Sequence, residues 1–158
     1  MTPDRIAKAS AVLAMASMLG GCPPPFYGIL REFRITSMPD SQCIQDSITA
    51  MPGATGVIYR EYDGGKDLVG TSIPTTQNFL YQKAGWKKAA VVLQVTKYEK
   101  EIWVSHYQLN STVDKPEETP AEVKQFMLSV EDGLSKQRGL GMVAETLKEQ
   151  CKNCTLPK

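Results

Sequence analysis

Few side chains in this sequence have the types and spacing needed for chemistry. His106 is the sole histidine, and it lies within a stretch typical of a β-strand. A base of the serine-hydrolase kind needs a nucleophile and an orienting acid, and no G-x-S-x-G motif or Asp-His-Ser pattern accompanies it. Glu131 and Asp132 fall on the predicted polar face of a helix, where carboxylates are expected for solvation. We therefore expect no catalytic residue, and the alternative is a small hydrolase that uses His106.

A second candidate is the C-x-x-C spacing of Cys151 and Cys154. Redox pairs of this kind lie where a helix begins, because the helix dipole lowers the thiol pKa there, whereas this pair lies at the end of a predicted helix, near the chain terminus. A zinc site needs four ligands, and His106 and the cysteines would have to converge from distant elements. A thiol redox or metal protein using Cys151 and Cys154 is the less favoured alternative, and we expect neither metal nor cofactor.

Length and charge exclude other classes of protein. The 158 residues, 42% apolar and 22% charged, fit one globular domain. Without Arg5, Lys8 and Asp4 of the leader, 18 basic and 17 acidic side chains become 16 of each. Nucleic-acid binding depends on clustered excess Lys and Arg, so this neutral remainder predicts no nucleic-acid partner.

The first 21 residues have the pattern of an export signal. Arg5 and Lys8 form a basic head, and residues 9–19 form an uncharged apolar run that is shorter than the about 20 residues of a spanning helix. The run ends in Leu19-Gly20-Gly21-Cys22. This ending resembles the lipobox of bacterial lipoproteins, in which Leu and two small residues precede the lipidated cysteine.

The resemblance implies that residues 1–21 are a signal peptide and that Cys22 carries a thioether-linked diacylglyceryl group, usually with a further acyl chain such as palmitate on the new amino terminus. Several chains on one residue would hold the protein stably in a membrane. Pro23 follows Cys22, where inner-membrane retention would call for aspartate. In a Gram-negative host we expect the outer membrane, with the protein facing the periplasm.

Three cysteines remain if Cys22 is lipidated, and export permits disulfides. In the predicted last helix, Cys151 continues an apolar stripe four residues after Leu147, where the first helix could present Cys43. We therefore predict a disulfide between Cys43 and Cys151, with Cys43 to Cys154 as the alternative.

The remaining sequence predicts an α+β fold behind a tether. Residues 22–38 contain three prolines directly after Cys22 and an alternating stretch that fits an edge strand as well as a linker. Residues 39–158 are predicted to form the domain. A capped helix spans about residues 41–51, and four strand candidates cover residues 55–62, 77–83, 87–97 and 101–109. One helix begins at Thr119-Pro120, a second carries Leu140, Val143, Leu147 and Cys151, and one or both pack on one face of an antiparallel meander.

One face of this sheet is a candidate binding surface, although large side chains on sheets more often belong to a core or to an ordinary surface. Trp103 and Tyr107 alternate with Val104 and His106, so the two pairs lie on opposite faces, and one face is expected to be only partly covered. A ligand or an envelope protein could bind there or at the loop of residues 61–72. These observations favour a non-catalytic, membrane-anchored binding or accessory module without naming its partner.

Overall fold

A computed structural model describes residues 28–87, 89–110, 120–138 and 140–152. The order of elements is β1 (Gly28–Ile35), α1 (Ser41–Thr49), β2 (Ile58–Tyr62), β3 (Gly65–Lys66), β4 (Ser72–Ile73), β5 (Thr75–Tyr81), β6 (Ala89–Lys97), β7 (Ile102–Asn110), α2 (Pro120–Arg138) and β8 (Val143–Lys152). The predicted α+β class is confirmed, with two helices on one face of an antiparallel sheet.

The sheet has six strands in the order β2-β5-β6-β7-β1-β8, and β3 with β4 forms a separate two-stranded arm. The predicted number of four is therefore too low. Strands β5, β6 and β7 form the expected meander, and β2 pairs with β5 at one edge. β1 is a strand, as one interpretation of its alternation suggested, but it lies between β7 and β8 and not at an edge.

The prediction of a last helix is wrong, because residues 143–152 form β8. Leu140, Val143, Leu147 and Cys151 recur at helical spacing, yet the segment pairs antiparallel with β1. Without β8, the outer side of β1 would present unpaired N–H and C=O groups, which a strand satisfies and a helix does not. Sheet pairing thus overrides the local helical pattern.

Local signals account well for the helices. Asp40 caps α1, with its Oδ1 accepting a hydrogen bond from the Cys43 amide at 2.8 Å. The helix ends near Pro52-Gly53, where Gly53 adopts a φ of 81° that favours glycine. α1 packs on α2 and β5, and α2 packs on β1.

The core lies between these helices and one face of the sheet. It is built from alternate residues of the central strands and from the apolar stripe of α2. Phe79, Leu93, Val104 and Met127 have no exposed surface, and burying each such side chain stabilises the fold by roughly 1.5–3 kcal/mol. The opposite face of the sheet, called here the open face, is covered by neither described helix.

Candidate functional site

The open face carries both residues that the sequence predicts for binding. Trp103 and Tyr107 lie on β7 and point away from the core, while Val104 and His106 between them are fully buried. Both predicted residues are partly exposed, and burial raises the pKa of the Tyr107 hydroxyl. The two pairs lie on opposite faces of the sheet, as the alternation along β7 predicts.

Strand pairing arranges the open face in rows that cross the sheet. One row, the polar row, contains one side chain from each of the six strands. In order across the sheet it consists of Arg60, Asn78, Gln94, Ser105, Glu32 and Lys148. Gln94 Nε2 donates to Asn78 Oδ1 at 2.8 Å, and Ser105 Oγ donates to Glu32 Oε1 at 3.3 Å. Neighbouring side chains thus hold one another in place.

The neighbouring row, on the side nearer to Gly28 at the start of β1, is apolar. This apolar row consists of Ile58, Leu80, Val92, Tyr107 and Leu30. Ile58 is 55% exposed, and the neighbouring Leu109 is 43% exposed. The open face is therefore amphipathic, with Tyr107 on the apolar part and Trp103 on the other side of the polar row.

A cleft of about 970 Å³ opens on the polar part of this face. Its floor is formed by side chains of β1, β6, β7 and β8, and its walls are the β3–β4 arm and the β6–β7 turn. The main contributors are Glu32, Gln94, Thr96, Trp103, Ser105 and Lys148 on the floor, and Ser72, Ile73, Tyr98, Glu99, Lys100 and Glu101 on the walls. The volume is at the upper end of the range for small-molecule sites.

Two contacts fix the indole of Trp103 in the cleft. Its Nε1 donates a hydrogen bond to Glu101 Oε2 at 2.5 Å. The Lys148 ammonium lies 5.4 Å from the ring centroid, within range of a cation–π interaction. A pre-positioned aromatic ring loses little conformational entropy when a ligand binds against it.

The β3–β4 arm is also held against the cleft. Gly64 N donates to Thr75 Oγ1 at 3.1 Å, and Ser72 Oγ donates to Glu99 Oε1 at 3.2 Å. A Cβ on Gly64 would come within 2.8 Å of the Ile73 carbonyl oxygen, so the close approach requires glycine. Part of the loop of residues 61–72, which the sequence suggested for binding, therefore borders the cleft.

The helix-covered side contains a buried polar cluster that sequence reasoning missed. The Tyr81 hydroxyl bonds His106 Nε2, and His106 Nδ1 lies 2.8 Å from Glu131 Oε1. Arg31 Nε donates to the same Oε1 at 2.9 Å, and its Nη2 donates to Oε2 at 3.0 Å. Arg31 Nη1 also contacts Glu149.

The prediction that Glu131 is solvated is wrong, because this residue is 7% exposed. A signal was present in the sequence. Glu131 follows Met127 by four residues and precedes Leu134 by three, which places it on the apolar stripe of α2. Arg31 likewise alternates with Ile29 and Phe33 on the buried face of β1.

The electrostatics of the cluster favour a charged Glu131. Burial raises the pKa of its carboxyl, but hydrogen bonds and charges from His106 and Arg31 outweigh burial and lower the pKa overall. Burial, with a contribution from Glu131, raises the pKa of Tyr81 well above its usual range. His106 has no exposed surface, so the structure gives no support to its use as a base on an external substrate.

The cysteines do not pair as predicted. Cys43 has a free thiol, so neither predicted Cys43 disulfide is formed in this structure, and Cys151 is bonded to a cysteine other than Cys43. Cys43 borders a small cavity beside Ile35, whereas Cys151 pairs with Ile29, six residues earlier on β1. That separation along a strand is roughly 20 Å, far beyond disulfide reach. Cys22 and Cys154 lie outside the described residues.

The described ranges hold no group of three or more His, Cys, Asp or Glu side chains placed to bind a metal ion. None of the helices within those ranges is long and apolar enough to cross a membrane.

Comparisons of the chain with protein-family models, curated proteins and solved structures gave no match.

Proposed function

We propose that this protein is a lipid-anchored, non-catalytic binding module of the bacterial cell envelope, with the open face of its sheet as the binding surface. The anchor is inferred from Leu19-Gly20-Gly21-Cys22 behind a basic head and a short apolar run. In a Gram-negative host the domain would stand at the outer membrane and face the periplasm.

The observation that carries the binding role is the difference between the two faces of the sheet. Both described helices pack on one face and complete the core there. The other face keeps Trp103 and Tyr107 partly exposed beside a preformed cleft. Convergent polar groups around a fixed aromatic ring are typical of ligand sites, whereas a face that serves only solvation needs no such arrangement.

A non-catalytic role is favoured because the residue best suited to acid–base chemistry is enclosed. His106 lies beneath α2, where Tyr81 and Glu131 engage both of its ring nitrogens. A general base must come within hydrogen-bond reach of a substrate proton. The cleft and His106 lie on opposite faces of the sheet, so a ligand in the cleft would not contact the imidazole.

The anchor is tested on protein extracted from its native membrane. We expect an intact mass for a chain that begins at Cys22 and carries acyl groups, and a Cys22→Ser variant that leaves the membrane fraction. An unlipidated mass, or retention of the variant in membranes, would contradict the anchor without bearing on the open face.

The binding surface is tested by a photo-reactive phenylalanine derivative placed at Tyr107 in cells. We expect adducts with an envelope component at this position, and none at Lys136, whose exposed side chain lies on the helix side. Trp103→Ala should change the yield of the photo-adduct formed at position 107. Equal yields at Tyr107 and Lys136, or no adduct at either, would count against the open face as the binding surface.

A further inference from the structure

We infer that the cleft beside Trp103 binds a neutral saccharide. This inference rests on the proposed function in one respect, namely that the open face binds a ligand. It depends on three features of the cleft: its charge balance, its aromatic ring and the polar groups of its floor.

The charges around the cleft balance. Three carboxylates and three ammonium groups line it, from Glu32, Glu99, Glu101, Lys97, Lys100 and Lys148. Several are already engaged, since Glu101 accepts from Trp103, Glu99 accepts from Ser72 and Lys148 lies at the indole ring. A cleft for a phosphate or a carboxylate would have more cationic side chains than carboxylates around it. The balance favours a ligand without net charge.

Trp103 provides the apolar contact that such a ligand would need. A pyranose ring has C–H groups on its faces and hydroxyl groups around its rim. The face of an indole carries negative electrostatic potential, so the weakly positive C–H groups of a bound sugar would take the place of the Lys148 ammonium over the ring. Because Glu101 holds the indole N–H, the orientation of the ring is fixed before any ligand arrives.

The polar row supplies the complementary hydrogen bonds. Gln94 offers donors and an acceptor, Ser105 offers a hydroxyl, and Glu32 offers carboxylate oxygens, all on the cleft floor. Sugar hydroxyls both donate and accept, so one hydroxyl can bond an amide and a carboxylate together. The floor therefore matches a ligand with many closely spaced hydroxyl groups.

A peptide fits the cleft less well. Peptide recognition uses apolar side-chain anchors or main-chain pairing along a free strand edge. The apolar row lies beyond the polar row and outside the cleft. Strands β1, β6 and β7, which supply most of the floor, are already paired on both sides. The geometry thus favours a saccharide over a peptide.

The test uses the full chain in detergent and two neutral oligosaccharide probes, chitotetraose and maltotetraose, in titration calorimetry. A Trp86→Phe background leaves Trp103 as the single tryptophan, and its fluorescence should change on saturation with at least one probe. Trp103→Ala should weaken binding at least tenfold, and Trp103→Phe, which keeps an aromatic ring, should weaken it less. Lys136→Ala, which changes an exposed side chain on the helix side of the fold, should leave the affinity for the probe unchanged.

Several outcomes would overturn the inference. The first is that neither probe binds up to about 10 mM, near the weak limit of measurable affinity. The second is sugar binding that Trp103→Ala leaves intact. The third is saturable binding of tetra-alanine in place of sugars. Circular dichroism of each variant checks the fold, and Ser105→Ala gives a milder second variant that should weaken binding several-fold. If saccharide binding fails while adducts at Tyr107 persist, the saccharide inference falls and the proposed binding module stands. Loss of both would remove the proposed function as well.

Discussion

Arg31 on β1 and Glu131 on α2 form a bidentate ion pair, with Nε–Oε1 and Nη2–Oε2 distances of 2.9 and 3.0 Å, buried between the sheet and the helix. The two residues are 100 positions apart in the chain. Their contact joins the first strand of the sheet to the helix that covers it, and His106 completes the coordination of the same carboxylate.

Glu131→Gln is expected to destabilise the fold by about 3 kcal/mol, because it removes the carboxylate that compensates the buried Arg31 guanidinium. Glu149 still contacts Arg31, which keeps the loss below that of a fully orphaned charge. Urea unfolding measures the change. The matched control is Asp132→Asn in the adjacent exposed pair with Lys136, which should cost no more than about 0.5 kcal/mol. Equal effects of the two variants would contradict the structural role of Glu131.

The stability of the protein should fall on acidification through Glu131. Its pKa is lowered in the folded state, so the stabilisation is present above the ordinary pKa range of glutamate and is lost as pH falls through the folded value. Urea unfolding at stepped pH below neutrality should show this decline in the wild type. The decline should be shallower in Glu131→Gln, and identical pH dependence of the two proteins would refute the assignment.

Tyr81→Phe is expected to cost about 1–2 kcal/mol, because it leaves the buried Nε2 of His106 without its hydroxyl partner. Tyr59→Phe is the control. The Tyr59 hydroxyl meets Glu61 Oε2 at 2.5 Å at an exposed site, and its removal should change stability by less than about 0.5 kcal/mol. Thermal or urea unfolding of both variants distinguishes them, and a neutral Tyr81→Phe would mean that the contact contributes nothing.

Gly64→Ala should loosen the β3–β4 arm, because the new Cβ would lie 2.8 Å from the Ile73 carbonyl oxygen and 2.9 Å from the Thr75 amide nitrogen. Gly65→Ala is the matched control, since nothing lies within 4 Å of its Cβ position. Hydrogen exchange of the Ser72 and Ile73 amides should be faster in the first variant and unchanged in the second. Unchanged exchange in both would mean that the close approach of Gly64 does not hold the arm.

Cys43 is expected to be alkylated without prior reduction, because its thiol is free and partly exposed. Peptide mapping of unreduced protein should recover the Cys43 peptide in alkylated form. A cross-linked peptide joining Cys43 to Cys151 would instead restore the disulfide predicted from the sequence.

Local sequence signals determined the parts of the fold that local forces dominate. Asp40 caps α1 and Pro120 is the first residue of α2, because side-chain capping and the fixed φ of proline act within one turn. Strict alternation in β7 placed Trp103 and Tyr107 on the face opposite to Val104 and His106, because successive side chains of a strand point in opposite directions. These predictions needed no knowledge of neighbouring strands.

The tertiary structure decided whatever depends on partners distant in sequence. Residues 143–152 carry a helical pattern, yet they form β8, because backbone groups of β1 need hydrogen-bond partners. The polar row and its cleft form only when six strands are aligned in register. Glu131 is buried as a charged side chain because it pairs with Arg31, which lies 100 positions away in the chain. The periodicity of apolar residues in the sequence predicts the direction in which a side chain points. The tertiary structure determines which groups that side chain contacts, because hydrogen bonds and ion pairs act over a few ångströms in space, whatever the distance along the chain.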